Sequence, residues 1–183
     1  MPTLIRSLTE REVLLDWAKA EIATKHLAHS IPAQRLRLKI ESNVTLSFEE
    51  ESILVAEISH ARSAMLEWIL SRPTVWNLVK ASVHELAAVQ ADIWWLQNQQ
   101  VHARTLLDLA REPVHTSIPG FSPQSVRGHL ILVAPDLATN PLLIEGAHRA
   151  AEFLRIDPAT RPTEFELILG VCPTITQWAR WIR

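Results

Sequence analysis

The sequence predicts an α+β protein, with a mainly helical N-terminal region over residues 1–73 and a strand-containing core over residues 74–183. Two Ser/Thr-x-x-Glu capping boxes, at Thr9–Glu12 and Ser47–Glu50, each precede apolar residues at helical spacing and fall in the first part. The runs "HLILVAP", "PLLIE" and "TEFELILGV" fall in the second and read as strands. Between the last two of these runs, "EGAHRAAEFL" changes abruptly from strand to helical period.

Each element has its own signal. Thr9 opens a helix over residues 9–28, with Leu15, Ala18 and Ile22 on its apolar side. "QRLRLKIE" alternates Leu36, Leu38 and Ile40 with Arg35, Arg37, Lys39 and Glu41, which is the period of a half-buried strand with a basic face. Ser47 opens a long helix through Leu54, Ile58, Ala61, Met65 and Ile69 that closes before Pro73. "TVWNLVKA" is a strand, and "SVHELAAV" a short helix capped by Ser82 with Glu85 at the third position. A helix over residues 97–111, with Val101, Leu107 and Ala110 inward, stops before Pro113, and residues 113–128 form a Pro- and Gly-containing loop. Asp136 to Asn140 make the turn between two buried strands. The helix after Gly146 packs Ala147, Ala150, Ala151 and Leu154, and a last strand leads to a helix over residues 174–182 with Trp178, Trp181 and Ile182 inward.

Composition bounds the function classes. At 183 residues, 48% hydrophobic and 21% charged, the chain has material for a core and is not a disordered polyelectrolyte. Cys172 is the single cysteine, so no internal disulfide framework exists, and "MPTLIRSLTEREVLL" lacks the basic, apolar and small-residue regions of a secretory signal. A cytoplasmic, reducing location is expected. No apolar run approaches the ~18 residues that suggest a membrane span. A net charge of −2 argues against a protein whose main role is to coat nucleic acid.

The chemistry concentrates at "NPLLIEGAHRAAEFL". A helix beginning at Gly146 presents unpaired N–H groups and a positive dipole end, glycine permits close approach to the backbone, and Arg149 adds a forked donor. Such a corner suits an anion, most often phosphate. Glu145 and His148 add a carboxylate and an imidazole for metal binding or proton transfer. The same residues also suit a purely structural helix start, since a glutamate beside a helix N terminus and an Arg–Glu pair are common on protein surfaces.

The "EGAHRAAEFL" corner, preceded by "HLILVAPDLATNPLLI" and "WNLVKASVHEL" and followed by "ELILGVCPTITQW", resembles the ParB/sulfiredoxin superfamily over roughly residues 74–183. The resemblance implies a small mixed sheet flanked by helices, with nucleotide phosphates bound at Gly146, Ala147, His148 and Arg149. Ala147 stands where sulfiredoxins carry their catalytic cysteine, which excludes that activity. His148 replaces an arginine of the partition proteins, and the separate helix-turn-helix domain of those proteins is not expected here, so partition activity is not expected either. The remaining members include nucleotide hydrolases, kinases, DNases and plasmid-encoded fertility-inhibition (Osa-like) effectors that block conjugative or T-DNA transfer, and a short chain with a helical extension fits the last group. The expected mechanism is ATP hydrolysis with Mg²⁺ held by Glu145 and Asp136 as catalytic carboxylates. A DNase would use the same carboxylates, with Arg127 and His129 as the nearest DNA contacts.

Other residues have plainer explanations. His26 and His29 lie three apart on a helix but lack further ligands at recognisable spacing, and Trp94–Trp95 suit a core as well as a base-stacking surface. Two classes of function follow: an ATP-hydrolysing enzyme acting at the corner, or a non-catalytic interaction protein that docks on a partner ATPase of a secretion or conjugation system.

Overall fold

The computed structural model describes residues 2–22, 27–62, 69–91, 104–111 and 128–178. The protein is α+β and forms two compact units, a sheet unit of Met1–Leu8 with Arg72–Arg183 and a helical unit of Thr9–Ser71. The helical unit ends at Ser71, and the first eight residues belong with the sheet. Strand β1 (Thr3–Leu8) departs from the helical expectation for this region and carries no burial signature, with Leu4 61% and Ile5 45% exposed.

The helical unit contains α1 (Glu10–Glu21), α2 (Ile31–Glu41) and α3 (Phe48–Ala61). Reciprocal capping boxes at Thr9/Glu12 and Ser47/Glu50 start α1 and α3. The segment "QRLRLKIE" is helical, not a strand. Ser30 accepts from the Ala33 N–H at 3.1 Å, Pro32 sits in the first turn, and Ala33, Leu36 and Ile40 are the buried positions. That is a helical face, and Leu38, the residue that completed the apparent alternation, is 75% exposed. The basic residues of the expected strand face serve helix contacts: Arg37 bonds Glu41 one turn on at 2.6 Å, and Lys39 pairs with Glu50 of α3. The Arg62 guanidinium lies over Trp17 and pairs with the buried carboxylate of Glu21, and Arg11 lies 4.3 Å over the Phe48 ring.

The sheet unit contains β1, β2 (Val75–Ser82), α4 (Val83–Ala87), α5 (Leu106–Arg111), β3 (Leu130–Ala134), β4 (Leu142–Glu145), α6 (Ala147–Arg155) and β5 (Glu164–Val171). Strand order is β1-β2-β5-β3-β4, with β3 and β5 parallel and the other neighbours antiparallel. Val79, Ala81, Leu132, Leu167 and Leu169 line one face and pack with Leu86 of α4, Leu106 and Leu109 of α5, and Ala150 and Ala151 of α6. Ile131, Val133 and Ile168, at the alternate positions, are also buried, which explains why "LILVA" is continuously apolar instead of alternating. Only the part of the expected 97–111 helix from Leu106 is among the described residues. The expected C-terminal helix begins as a 3₁₀ turn, Ile175–Gln177, with Trp178 half-buried, while Trp181 and Ile182 lie outside the described residues.

Two consequences are measurable. Gly170 of β5 faces Trp76 of β2, and a Cβ there would stand 2.5 Å from the indole Cζ3. Gly170→Ala is expected to lower stability by about 1–3 kcal/mol in urea titrations, with Trp76→Leu in the same chain recovering part of the loss; equal stability of the single variant would contradict this contact. At the start of α5, Asp108 accepts from the Thr105 hydroxyl at 2.8 Å and from the backbone N–H groups of Thr105 and Arg104. These bonds, the Thr105 hydroxyl foremost, hold its carboxyl below the usual range. A depressed folded-state pKa contributes stability that is complete above the unfolded value of about 4 and is lost as pH falls through the folded value. The difference in melting temperature between wild type and Asp108→Asn should therefore shrink below about pH 4, whereas a constant difference down to strong acid would show no linkage.

Candidate functional site

The corner is the end of the β3–β4 hairpin. Asp136 Oδ1 accepts from the N–H groups of Ala138 and Thr139 at 2.8 Å each, an Asx turn that starts the chain reversal. These backbone bonds keep its carboxyl below the ordinary range. Gln90 extends the sheet beyond β4, donating its N–H to Pro141 O at 2.8 Å and accepting from the Leu143 N–H at 2.9 Å. A register irregularity between Ile131 and Leu132 then sets Glu145 opposite Ile131 at the strand's end.

Gly146 follows with φ 99° and ψ 23°, a left-handed conformation, and serves as the N-cap of α6 without a side-chain capping bond. A Cβ here would collide with the Leu130 side chain and stand 3.1 Å from Arg149 Nη2. The close approach that glycine permits is thus used by two side chains of this protein. Arg149 donates to Gly128 O at 2.8 Å and to His129 O at 3.3 Å, and its Nη2 lies 3.6 Å from Glu145 Oε1. The guanidinium therefore ties the start of β3, the end of β4 and the first turn of α6 together. Glu145 and Arg149 are largely buried, His148 is exposed, and the Ala147 side chain packs towards the core, leaving only its backbone to a ligand.

The structure brings Glu145, Gly146, His148 and Arg149 to one corner, and it places Asp136 elsewhere. Glu145 pairs with Ile131 at one end of β3, whereas Asp136 follows Ala134 at the other, and ~10 Å of strand separates Ile131 from Ala134 alone. Ligands to one Mg²⁺ each lie ~2.1 Å from it, so Glu145 and Asp136 do not share an ion in this arrangement. Among the described residues no group of three or more His, Cys, Asp or Glu gathers as a metal site, and no helix is long and apolar enough to cross a membrane. Of the expected DNA contacts, Arg127 lies outside the described residues, and the His129 ring stands 3.8 Å from the Glu166 carboxylate, an acidic neighbour for a phosphate-binding role. His29 is exposed, while His26, Trp94 and Trp95 lie outside the described residues.

Asp136 instead borders a cleft of about 230 Å³ on the helix-bearing side of the sheet. Its floor is Ala81, Leu132, Leu167 and Leu169, and its rim carries His84 and Glu85 of α4 and the turn from Asp136 to Pro141. Burial pushes the Glu85 carboxyl up, but hydrogen bonds to its charged form from the N-terminal amino group and from Ser82, with the positive charge of that amino group, outweigh this and hold it below the ordinary range. The sequence places His84–Glu85 only as a helix start; that the same turn borders a cleft depends on long-range packing that no local pattern signals. The Gly128 and His129 carbonyls that bind Arg149 are likewise invisible to residue-type reasoning, since every residue has a carbonyl.

Comparison with known proteins finds no match: no family model, no curated protein and no solved structure is significantly similar to the chain.

The corner predicts its own fragility. Gly146→Ala must accept a left-handed φ, about 1–2 kcal/mol, and also displace Leu130. In chemical denaturation it should lose more stability than Gly146→Ala combined with Leu130→Ala loses relative to Leu130→Ala alone, because the double variant removes the collision and keeps the backbone strain. Wild-type stability in Gly146→Ala would mean the cap is not left-handed.

Proposed function

We propose that the chain is a small ParB/sulfiredoxin-like protein that binds a nucleotide through its phosphates at the N terminus of α6. The observation that carries this reading is the left-handed, uncapped Gly146 at the head of a nine-residue helix, with the Arg149 guanidinium folded beside it. Backbone N–H groups of the first turn and the guanidinium then converge from two directions on an anion. Glu145 is the carboxylate at this end of the hairpin. It is the residue that would hold Mg²⁺, which would supply charge neutralisation at the phosphates, or that would orient water for ATP hydrolysis, and Asp136 has no part in that step.

A second reading is favoured by the contacts Arg149 already makes. With two carbonyls and a carboxylate around the guanidinium, the corner works equally as a structural joint, and the protein then acts as an interaction protein that docks on a partner ATPase of a conjugation or secretion system, as a fertility-inhibition effector would.

Melting temperature and phosphate release, both measured with ATP and Mg²⁺, separate the two. Nucleotide at a hundredfold excess over Kd stabilises by about 2.7 kcal/mol, a rise of several degrees. The nucleotide reading expects that rise in wild type, its loss in Arg149→Ala, and its retention in Glu145→Gln with phosphate release reduced at least about tenfold, the ~1.4 kcal/mol of one lost transition-state interaction. Absence of both stabilisation and phosphate release in the wild type would remove the nucleotide reading and leave docking.

A further inference from the structure

Helices α2 and α3 each bury one side and leave the opposite side open. In α2 the buried residues are Ala33, Leu36 and Ile40, and the opposed ridge is Ile31, Arg35 and Leu38, with Ile31 67% and Leu38 75% exposed. In α3 Leu54 and Ile58 are buried, and the opposed ridge is Glu49, Ile53 and Ala56, exposed throughout and at the same i, i+4, i+7 spacing. Residues 42–47 turn the chain between the two helices, and Lys39, in the last turn of α2, pairs with Glu50, in the first turn of α3. On each helix this pair sits on the flank between the buried and the open side, in the sense that sets both ridges on one face of the helical unit. The ridges are opposite in charge. Arg35 and Glu49 are exposed and make no ion pair or side-chain hydrogen bond among the described residues, whereas Arg37 and Lys39 are already matched by Glu41 and Glu50.

We propose that this face is where a second copy of the chain docks, α2 of each copy lying antiparallel on α3 of the other. A twofold axis along the helices makes every contact twice: Ile31 and Leu38 cover Ile53 and Ala56 of the second copy, and Arg35 reaches Glu49 of the second copy. The other twofold, with α2 on α2 and α3 on α3, sets Arg35 against Arg35 and Glu49 against Glu49, so charge selects the crossed arrangement. Covering Ile31 and Leu38, the two most exposed aliphatic side chains of α2, supplies the apolar part of the association. A face two helices wide and about 20 Å long lies at the small end of the range for specific interfaces, which makes the dimer reversible, with a Kd on the order of 100 µM. The inference is independent of both readings of the Gly146 corner, since it uses residues of the helical unit alone.

Sedimentation equilibrium of the full-length chain tests this over concentrations from about 10 µM to about 1 mM, which bracket that Kd. The weight-average mass of wild type is expected to rise from 20.7 kDa towards twice that value. Arg35→Glu and Glu49→Arg each bring like charges together at both contacts, and each should weaken association about tenfold while leaving the far-UV spectrum and melting temperature of the dilute protein unchanged. Mixed in equal amounts, the two variants present opposite charges at both contacts, so the mixture should associate at least as tightly as wild type. A mass that stays at 20.7 kDa across the range, a dimer whose strength neither substitution changes, or a mixture that associates no better than either variant alone would each overturn the proposal.

Discussion

Pairing of β5 on both sides is the constraint on which the sheet depends. It bonds antiparallel to β2 along its whole length and parallel to β3, so the last strand in the chain occupies the middle of the sheet. Without it, β1–β2 and β3–β4 would be two separate antiparallel pairs, and isolated two-stranded pairs are marginal in water. The corner depends on the same pairing. Leu130, whose side chain fills the space beside Gly146, is held opposite Leu167 of β5, so the geometry of the helix start is fixed by a strand further along the chain. Such pairings close long loops and make the sheet unit slower to form than a helical bundle of equal size.

The hairpin also sets two electrostatic environments apart. At the Gly146 end, a helix dipole and a guanidinium create positive potential, moderated by Glu145. At the Asp136 end, one exposed carboxylate is fixed by two backbone N–H groups beside an aliphatic cleft. Both ends are built by short local motifs, a left-handed glycine cap and an Asx turn, that point fixed dipoles or charge in a chosen direction. The intervening strand is continuously apolar and carries no titratable side chain from Leu130 to Ala134.

What could be read beforehand follows the range of the interactions. The capping boxes at Thr9, Ser47 and Ser82 were legible because their partners lie three residues apart, and all three form. The α2 segment departs from the strand expectation because alternating Leu36, Leu38 and Ile40 satisfies a period of two, while Ser30 and Pro32 just upstream carry the helix-start signals. Strand β1 left no trace in hydropathy because its outward side chains are exposed on both faces. The separation of Glu145 from Asp136 was implicit in the hairpin itself: when a turn begins at Asp136 between antiparallel strands, a residue at the far end of the second strand must lie a strand's length away. The acceptors of Arg149 and the Asp136 cleft required the register of three strands, which depends on the whole sheet and not on any window of sequence.

The placement of β1 gives the helical unit a particular status. Leu8, the last residue before it, pairs with Trp76, five residues after its last residue Ser71, so in sequence the unit lies between two strands that pair with each other. Neighbouring strands lie about 5 Å apart, a gap that a turn of a few residues spans. In architectural terms Thr9–Ser71 is an elaborated hairpin loop: a self-contained helical module inserted at a permissive position, whose gain, loss or exchange over evolutionary time would leave the sheet's hydrogen-bond ladder, and both ends of the β3–β4 hairpin, intact.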